Sequence, residues 1–200
     1  MKHVLVIRLS ALGDVAIMAP LVEQYAKGNP DVHFTIAGPP LLSPLFEGMP
    51  NVDYLGLKKK QSSVKIFQAL EAVGADTVID LHKVNRVGRA LSLLRLRHLF
   101  DFRFRMYSLR KGRLSRWLFL HHFNKNPRKS QFERYENVFH RAGLSASCSH
   151  HSSFITHHLS PIIGIAPFAQ HRGKIWPQDS MRNLVAMLAE KGYEVMLFWK

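Results

Sequence analysis

The sequence predicts an α/β fold in which helices cover both faces of a doubly wound parallel sheet. Short apolar runs alternate with longer segments whose apolar residues recur every three or four positions. Turn residues separate these segments, and the alternation continues along almost the whole chain. Strands that alternate with helices in this way form parallel sheets joined by crossover helices.

The apolar runs and the helical spacing define each element in turn. The first strand contains the run Val-Leu-Val-Ile, and the helix over 62–73 has apolar residues at 64, 67, 70 and 73. Glycines such as Gly28 and Gly74 mark helix ends. The predicted strands are Val4–Leu9, Val32–Ala37, Val52–Leu57, Asp76–Leu81 and Leu99–Phe104. The predicted helices are Val15–Lys27, Leu42–Glu47, Ser62–Val73, Arg86–Arg97 and Ser130–Ala142.

The alternation resumes after a stretch rich in Ser and His. A strand over Pro161–Ala166, a helix over Gln178–Glu190 and a strand over Tyr193–Phe198 form one further βαβ unit. We therefore predict a first domain over residues 1–144, a linker over 145–160 and the start of a second domain over 161–200.

Two turns are candidate ligand sites. Ser10 and Asp14 lie where the first strand meets the first helix, so a ligand there would meet free amides, a glycine and a carboxylate. His82, together with Asp80 and Asn85, follows the fourth strand, and ligands of doubly wound sheets bind beyond the carboxyl ends of strands. The alternatives are a capped turn without a ligand and a strand end with exposed polar residues.

The charge is strongly positive, with 28 Lys or Arg against 14 Asp or Glu and a net charge of +14. Most of the excess lies between Lys83 and Lys129, where 14 basic residues accompany one acid, Asp101. Such a field predicts an anionic partner, which could be nucleic acid, acidic lipid headgroups or a phosphorylated glycolipid. The alternative is a solvated basic face without a dedicated partner.

Within this window, residues 107–123 interleave basic side chains such as Arg113 with bulky apolar ones. The mixture suits a helix on a membrane surface, a mobile segment that closes over an acceptor, or a helix packed on the sheet with a basic outer face. No RNA- or DNA-binding motif accompanies the aromatic residues, so nucleic acid is disfavoured.

The remaining composition indicates the compartment. Cys148 is the single cysteine, so no intrachain disulfide forms, and a reducing cytoplasm is expected. Arg8 and Asp14 interrupt the first apolar run, which is therefore unlike a signal peptide. No run approaches the roughly 18 apolar residues of a membrane span. The histidines at 150, 151, 157 and 158 indicate a linker rather than a metal site, and no metal or cofactor is expected.

Three stretches carry a family resemblance. They are Ile7-Arg8-Leu9-Ser10-Ala11-Leu12-Gly13-Asp14-Val15 with Pro20-Leu21, then Gly164-Ile165-Ala166-Pro167-Phe168-Ala169 with His171-Arg172-Gly173-Lys174-Ile175-Trp176-Pro177, and, more weakly, Glu133-Arg134-Tyr135. Together they resemble glycosyltransferase family 9, the heptosyltransferases, which add heptose from ADP-heptose to the inner core of lipopolysaccharide. The similarity covers most of the chain.

The resemblance implies a GT-B fold of two Rossmann-like domains, with the N-terminal acceptor domain complete and the donor domain partial. It implies Asp14 as the base for the attacking hydroxyl, and Lys174, assisted by Arg172, as the diphosphate contact. The candidate substrate contacts are Ser10, Leu12, Gly13, His82 and Arg113. The implied partners are the sugar-nucleotide donor and an anionic lipopolysaccharide acceptor at the cytoplasmic face of the inner membrane.

One departure from the family pattern concerns the donor domain. The glycine-rich turn expected after its second strand is replaced by Phe198-Trp199-Lys200. We therefore expect a truncated donor site and little or no transfer by this chain alone. The alternatives are an inactive remnant or a non-catalytic module that binds anionic glycolipid or membrane. A dehydrogenase is disfavoured because no G-x-G-x-x-G follows the first strand.

Overall fold

A computed structural model describes residues 2–58, 60–109, 130–147, 162–169 and 172–198. The chain divides into two compact units, Met1–His150 and His151–Lys200. The predicted limits of the domains and of the linker remain predictions, and most of the predicted linker lies outside the described residues.

The first unit is built on a five-stranded parallel sheet with the strand order β3-β2-β1-β4-β5. Its strands are β1 (Lys2–Ile7), β2 (Val32–Gly38), β3 (Val52–Gly56), β4 (Thr77–Asp80) and β5 (Arg105–Ser108). Its helices are α1 (Leu12–Gly28), α2 (Ser63–Val73), α3 (Asn85–Arg97) and α4 (Gln131–Arg141), with a 3-10 helix at Pro40–Phe46. The predicted doubly wound parallel sheet is confirmed.

The central strand β1 explains why the sheet is covered on both faces. All four residues of Val4–Ile7 are fully buried, as expected for a strand between helical layers. Val4 and Val6 pack in the cluster that contains α1 and α4. Leu5 and Ile7 pack on the opposite face, against α2 and α3. The alternation of side chains along one apolar run therefore builds two cores.

Local signals set the helix ends. The Ser62 hydroxyl accepts a hydrogen bond from the Lys65 N–H at 3.4 Å, and Gly74 ends α2 in the left-handed conformation at φ 64°. At the start of α4, the Glu133 N–H donates to the Ser130 hydroxyl, and the Ser130 N–H donates to the Glu133 carboxylate.

One predicted strand was wrong. Residues 99–104 form turns, and the fifth strand begins only at Arg105. The Asp101 carboxylate accepts a hydrogen bond from the Arg103 N–H at 3.0 Å, which holds the chain in a turn. The helix predicted at Leu42–Glu47 is the 3-10 helix, and α1 begins three residues earlier than predicted. Most of the segment 107–123 lies outside the described residues, and Tyr107 belongs to β5.

The second unit contains two parallel strands, β6 (Ile162–Ile165) and β7 (Glu194–Leu197). Helix α5 (Gln178–Glu190) connects them, preceded by a 3-10 turn at Arg172–Lys174. These elements match the predicted βαβ unit.

Substitutions at two glycines test how closely residues 145–147 pack against α1. A Cβ on Gly28 would contact the Ser145 carbonyl oxygen and would lie 2.7 Å from the Ser147 nitrogen, both of which are backbone atoms. We expect Gly28→Ala to lower the free energy of unfolding by about 1–3 kcal/mol. The control Gly88→Ala, in open space on α3, should raise it by about 1 kcal/mol. Urea denaturation measures both, and equal effects would contradict the packing of residues 145–147 on α1.

The histidine pair at the amino-terminal end of the sheet predicts a pH dependence. The His3 and His33 rings lie 4.8 Å apart. Burial, followed by the proximity of His33, lowers the pKa of His3 from its ordinary 6.5. Between that value and the lowered pKa, the unfolded chain binds more protons than the folded chain. The free energy of unfolding therefore falls as pH drops below 6.5 and becomes independent of His3 below its folded pKa.

Glutamine does not titrate in this pH range. We therefore expect His3→Gln to reduce the slope of the free energy of unfolding against pH, by an amount that corresponds to at most one bound proton. Urea denaturation at a series of pH values between neutrality and the acid limit of folding measures the slope. An unchanged slope would remove His3 from the pH response.

Candidate functional site

The candidate site lies at the carboxyl ends of β1 and β4, next to each other at the centre of the sheet. The chain leaves β1 for β2 on one side and later returns to β4 on the other side. The loops that follow the two strands therefore diverge and leave a crevice, which is where doubly wound folds bind ligands.

Arg8 holds the first of these loops. Its backbone N–H donates to the Ala37 carbonyl at 2.9 Å, which continues the pairing of β1 with β2. Its buried guanidinium donates from Nη1 to the Leu81 carbonyl and from Nη2 to the Asp14 carboxylate. The same guanidinium lies over the ring of Tyr135, 5.7 Å from its centroid. A single side chain therefore connects four elements of the first unit.

Asp14 is the third residue of α1, whereas the predicted helix began only after it, at Val15. Its Oδ2 accepts hydrogen bonds from Arg8 Nη2 and, at 3.2 Å, from the Ala11 N–H. A carboxylate at this position interacts favourably with the helix dipole. The side chain is 32% exposed, so it remains accessible to a substrate. Ala11 occupies the N-cap position, and Ser10 precedes it rather than capping the helix.

The residues between Ser10 and Asp14 are open to solvent. Leu12 is exposed at the first helical position. A Cβ on Gly13 would meet nothing within 4 Å, so packing does not require glycine at this position. Glycine instead allows another molecule to approach the backbone closely.

The second loop follows β4. Asp80 Oδ1 accepts from the His82 N–H at 2.9 Å and the Lys83 N–H at 2.8 Å, and the Asp80 side chain is buried. Asp80 therefore shapes the turn, in which Lys83 takes the left-handed conformation at φ 50°. The sequence suggested Asp80 as a candidate ligand contact, whereas in the structure its carboxylate holds the turn.

A cavity of about 430 Å³ separates the two loops. It brings together Ser10 and His82, both predicted site residues, with the cations Lys83 and Arg86. The first turn of α3, with its free backbone amides, also borders the cavity. Anionic groups fit such a lining. Its full lining is Leu9, Ser10, Ile66, His82, Lys83, Val84, Asn85, Arg86 and Val87.

The roles of Arg8 and of Tyr135, over whose ring the Arg8 guanidinium lies, were not predicted from the sequence. The signal was an arginine that directly follows four apolar strand residues, because a charge so close to a core needs partners. Tyr135, from the third resembling stretch, is fully buried, and burial raises its pKa. It supports Arg8 rather than contacting a ligand.

Three other predicted site residues lie outside the described part of the first unit. Lys174 lies in the second unit, exposed at the end of the 3-10 turn. The side chain of Arg172 and the whole of Arg113 lie outside the described residues.

Two searches of the described residues were negative. No cluster of three or more His, Cys, Asp or Glu side chains there could hold a metal ion. No helix among these residues is both long enough and apolar enough to cross a membrane.

The architecture is that of GT-B glycosyltransferases. A glycosyl transferase family 9 structure from Veillonella parvula matches with a TM-score of 0.67 and 21% identity, over 98% of this chain and 62% of that chain. E. coli heptosyltransferase WaaC with ADP matches with a TM-score of 0.68 and 18% identity, over 99% of this chain and 67% of that chain. E. coli ADP-heptose lps heptosyltransferase II matches with a TM-score of 0.56 and 20% identity, over 99% and 64%. These identities establish the fold, and the chain spans about two thirds of the length of those structures.

The family model for glycosyltransferase family 9 (heptosyltransferase) matches residues 63–200. The chain therefore belongs to glycosyltransferase family 9, as its motifs indicated. No curated protein sequence matches it at a significant level.

The Arg8 contacts predict that lysine cannot replace it. The planar guanidinium of Arg8 donates to the Leu81 carbonyl and to the Asp14 carboxylate at the same time. The ammonium of a lysine side chain lacks this planar arrangement of donors. We expect Arg8→Lys to lower the free energy of unfolding by about 1.5–3 kcal/mol. The control Arg89→Lys, exposed on α3, should change it by less than about 0.5 kcal/mol. Similar values for the two variants in urea denaturation would show that the Arg8 contacts contribute little.

Proposed function

We propose that this chain contributes the acceptor side of a heptosyltransferase, which transfers heptose from ADP-heptose to the anionic inner core of lipopolysaccharide at the cytoplasmic face of the inner membrane. One observation carries the proposal. The Asp14 carboxylate, held by Arg8, stands beyond the carboxyl end of the central strand, in the same turn as Ser10, which lines a cationic cavity. Family membership and the heptosyltransferases with ADP or an ADP-heptose analogue among similar structures support this reading.

The hydrogen bonds of Asp14 suit a proton acceptor. Its contacts with Arg8 and Ala11 both use Oδ2, so Oδ1 makes no hydrogen bond to the residues that the structure describes. An acceptor hydroxyl that donates to Oδ1 is oriented toward the anomeric carbon of the heptose. As the new C–O bond forms, the hydroxyl proton passes to Asp14 and the bond from the heptose to the diphosphate breaks, releasing ADP.

The cavity provides the contacts expected for an acidic acceptor. Lys83 and Arg86 place two positive side chains beside the first turn of α3. Carboxylate or phosphate groups of the acceptor bind there through charge-assisted hydrogen bonds. Ser10 and His82 can donate or accept hydrogen bonds to sugar hydroxyls from the same lining.

The donor contacts in this proposal come from the second unit. Lys174 is exposed and can approach a phosphate as a point charge, with Arg172 adding a bidentate contact.

Leu12 and the open backbone at Gly13 form the surface that the substrate approaches. Arg113 is proposed to contact the acceptor. No metal or cofactor enters this mechanism.

The test replaces the proton acceptor without removing its structural contacts. In Asp14→Asn, the amide oxygen can still accept from Arg8 and Ala11, so the fold should persist, while the amide nitrogen that replaces Oδ1 cannot accept the hydroxyl proton. In a version of the protein with a complete donor domain, we expect heptose transfer from ADP-heptose to heptose-deficient lipopolysaccharide to fall at least about a hundredfold in kcat. The matched control is Asp31→Asn, an exposed aspartate before β2, whose transfer rate should equal that of the unsubstituted protein.

Acceptor binding, measured by calorimetry, accompanies the transfer assay. Unchanged turnover in Asp14→Asn would remove Asp14 from the role of base. Acceptor binding without transfer in the unsubstituted protein would favour a glycolipid-binding module, and the absence of both would contradict the proposed function.

A further inference from the structure

An exposed group of apolar side chains lies toward the end of α3 and in the loop before β5, whereas the candidate site borders the first turn of that helix. We call it the α3 apolar cluster. Phe100 and Phe102 are 86% and 93% exposed, far more than large apolar residues in a stable core. The cluster consists of Leu93, Leu96, Leu99, Phe100 and Phe102. A concentration of exposed apolar side chains in one short stretch indicates an interaction surface.

The loop that carries the two phenylalanines is held in place by hydrogen bonds. The Asp101 N–H donates to the His98 carbonyl at 3.1 Å, and the Phe104 N–H donates to the Asp101 carbonyl at 3.2 Å. Phe104 turns inward, packs at the edge of the core and stacks on His98 with the ring centroids 4.4 Å apart. Phe100 and Phe102 are therefore exposed on an anchored loop.

Positive charge surrounds the cluster. Residues 83–109 contain seven Lys or Arg and one acid, Asp101. Arg89 and Arg95 are exposed on α3 among the leucines of the cluster, and Arg103 follows Phe102 in the loop. Arg97 forms an exposed ion pair with Glu71 at 3.3 Å. Arg95 lines one surface pocket together with Leu99 and Phe102, so positive charge and apolar side chains adjoin there.

We propose that the α3 apolar cluster docks on a bilayer that contains anionic lipids, with its leucine and phenylalanine side chains in the interfacial region and its arginines among the headgroups. Anionic headgroups complement the arginine charge, and the adjacent acyl region accommodates Leu and Phe. Nucleic acid would satisfy the arginines but would leave the leucines without an apolar environment. A second copy of the chain would bring two strongly positive surfaces together.

The docked orientation connects this surface with the cavity. Arg86 lines the cavity at the first turn of α3, and Leu93 and Leu96 lie further along the same helix. A helix of 13 residues is about 20 Å long, so a helix lying on the membrane keeps the cavity within reach of headgroups. The docking uses residues outside the proposed catalytic site and does not require transfer activity.

Flotation with vesicles tests the proposal on the full chain. Vesicles of phosphatidylcholine alone are compared with vesicles in which one quarter of the lipid is phosphatidylglycerol. We expect binding only to the anionic vesicles, and Phe100→Ser with Phe102→Ser should weaken it at least about tenfold. The matched control Leu41→Ser, equally exposed on the 3-10 helix, should leave binding unchanged.

A second pair of variants tests the charge. Arg89→Gln should weaken binding about fivefold, whereas Lys191→Gln, an exposed cation of the second unit, should not. Because all the substituted side chains are exposed, thermal melting should be unchanged. Failure of the unsubstituted chain to bind anionic vesicles would overturn the proposal, as would equal losses in the variants and controls. Self-association that the phenylalanine variant abolishes would instead assign the surface to a second copy.

Discussion

The buried guanidinium of Arg8 is the constraint on which the candidate site depends. A charge at the edge of a core is costly unless it is paired and hydrogen-bonded. Arg8 is paired with a carbonyl after β4, a carboxylate in α1 and an aromatic ring in α4, while its buried Nε makes no hydrogen bond to the residues that the structure describes. Its partners must therefore remain where it can reach them. The same contacts that reduce the desolvation cost position Asp14 and the beginning of the loop that carries His82.

The parallel sheet divides the first unit into two hydrophobic cores. One face of the sheet packs against α1 and α4, and the other packs against α2 and α3. Helix α3 contributes to two surfaces, because its first turn borders the cavity and its last turns carry the α3 apolar cluster. The helix therefore carries cations at both ends, which accounts for part of the excess positive charge of the chain.

Elements with local signals could be predicted from the sequence. The apolar run of β1, the glycine end of α2 and the serine start of α4 all depend on neighbouring residues, and the structure agrees with them. The false strand over residues 99–104 had the right composition, but the hydrogen bonds of Asp101 outweighed β propensity. Strand propensity alone could not distinguish a phenylalanine that packs from one that faces solvent.

The position of the candidate site can be argued from the sequence, but most of its side-chain contacts cannot. The turn after β1 and the strand end at His82 follow from the rule that ligands bind beyond carboxyl ends. The contacts of Arg8 with Leu81 and Tyr135 join residues 73 and 127 positions apart, and no local pattern encodes such separations. The hydrogen-bond partners of Asp80 likewise could not be predicted from the sequence, because an aspartate at a strand end can either bind a ligand or accept hydrogen bonds within its own turn.

The open space around Gly13 makes this position a suitable attachment point for a spectroscopic reporter. A Cβ there contacts nothing within 4 Å, so a cysteine can be introduced without displacing neighbouring atoms. The chain has one other cysteine, Cys148, whose replacement would make labelling at position 13 selective. A fluorophore or spin label at that point would lie one residue from Asp14. It would report the arrival of a sugar or a phosphate directly, without a need to detect the product.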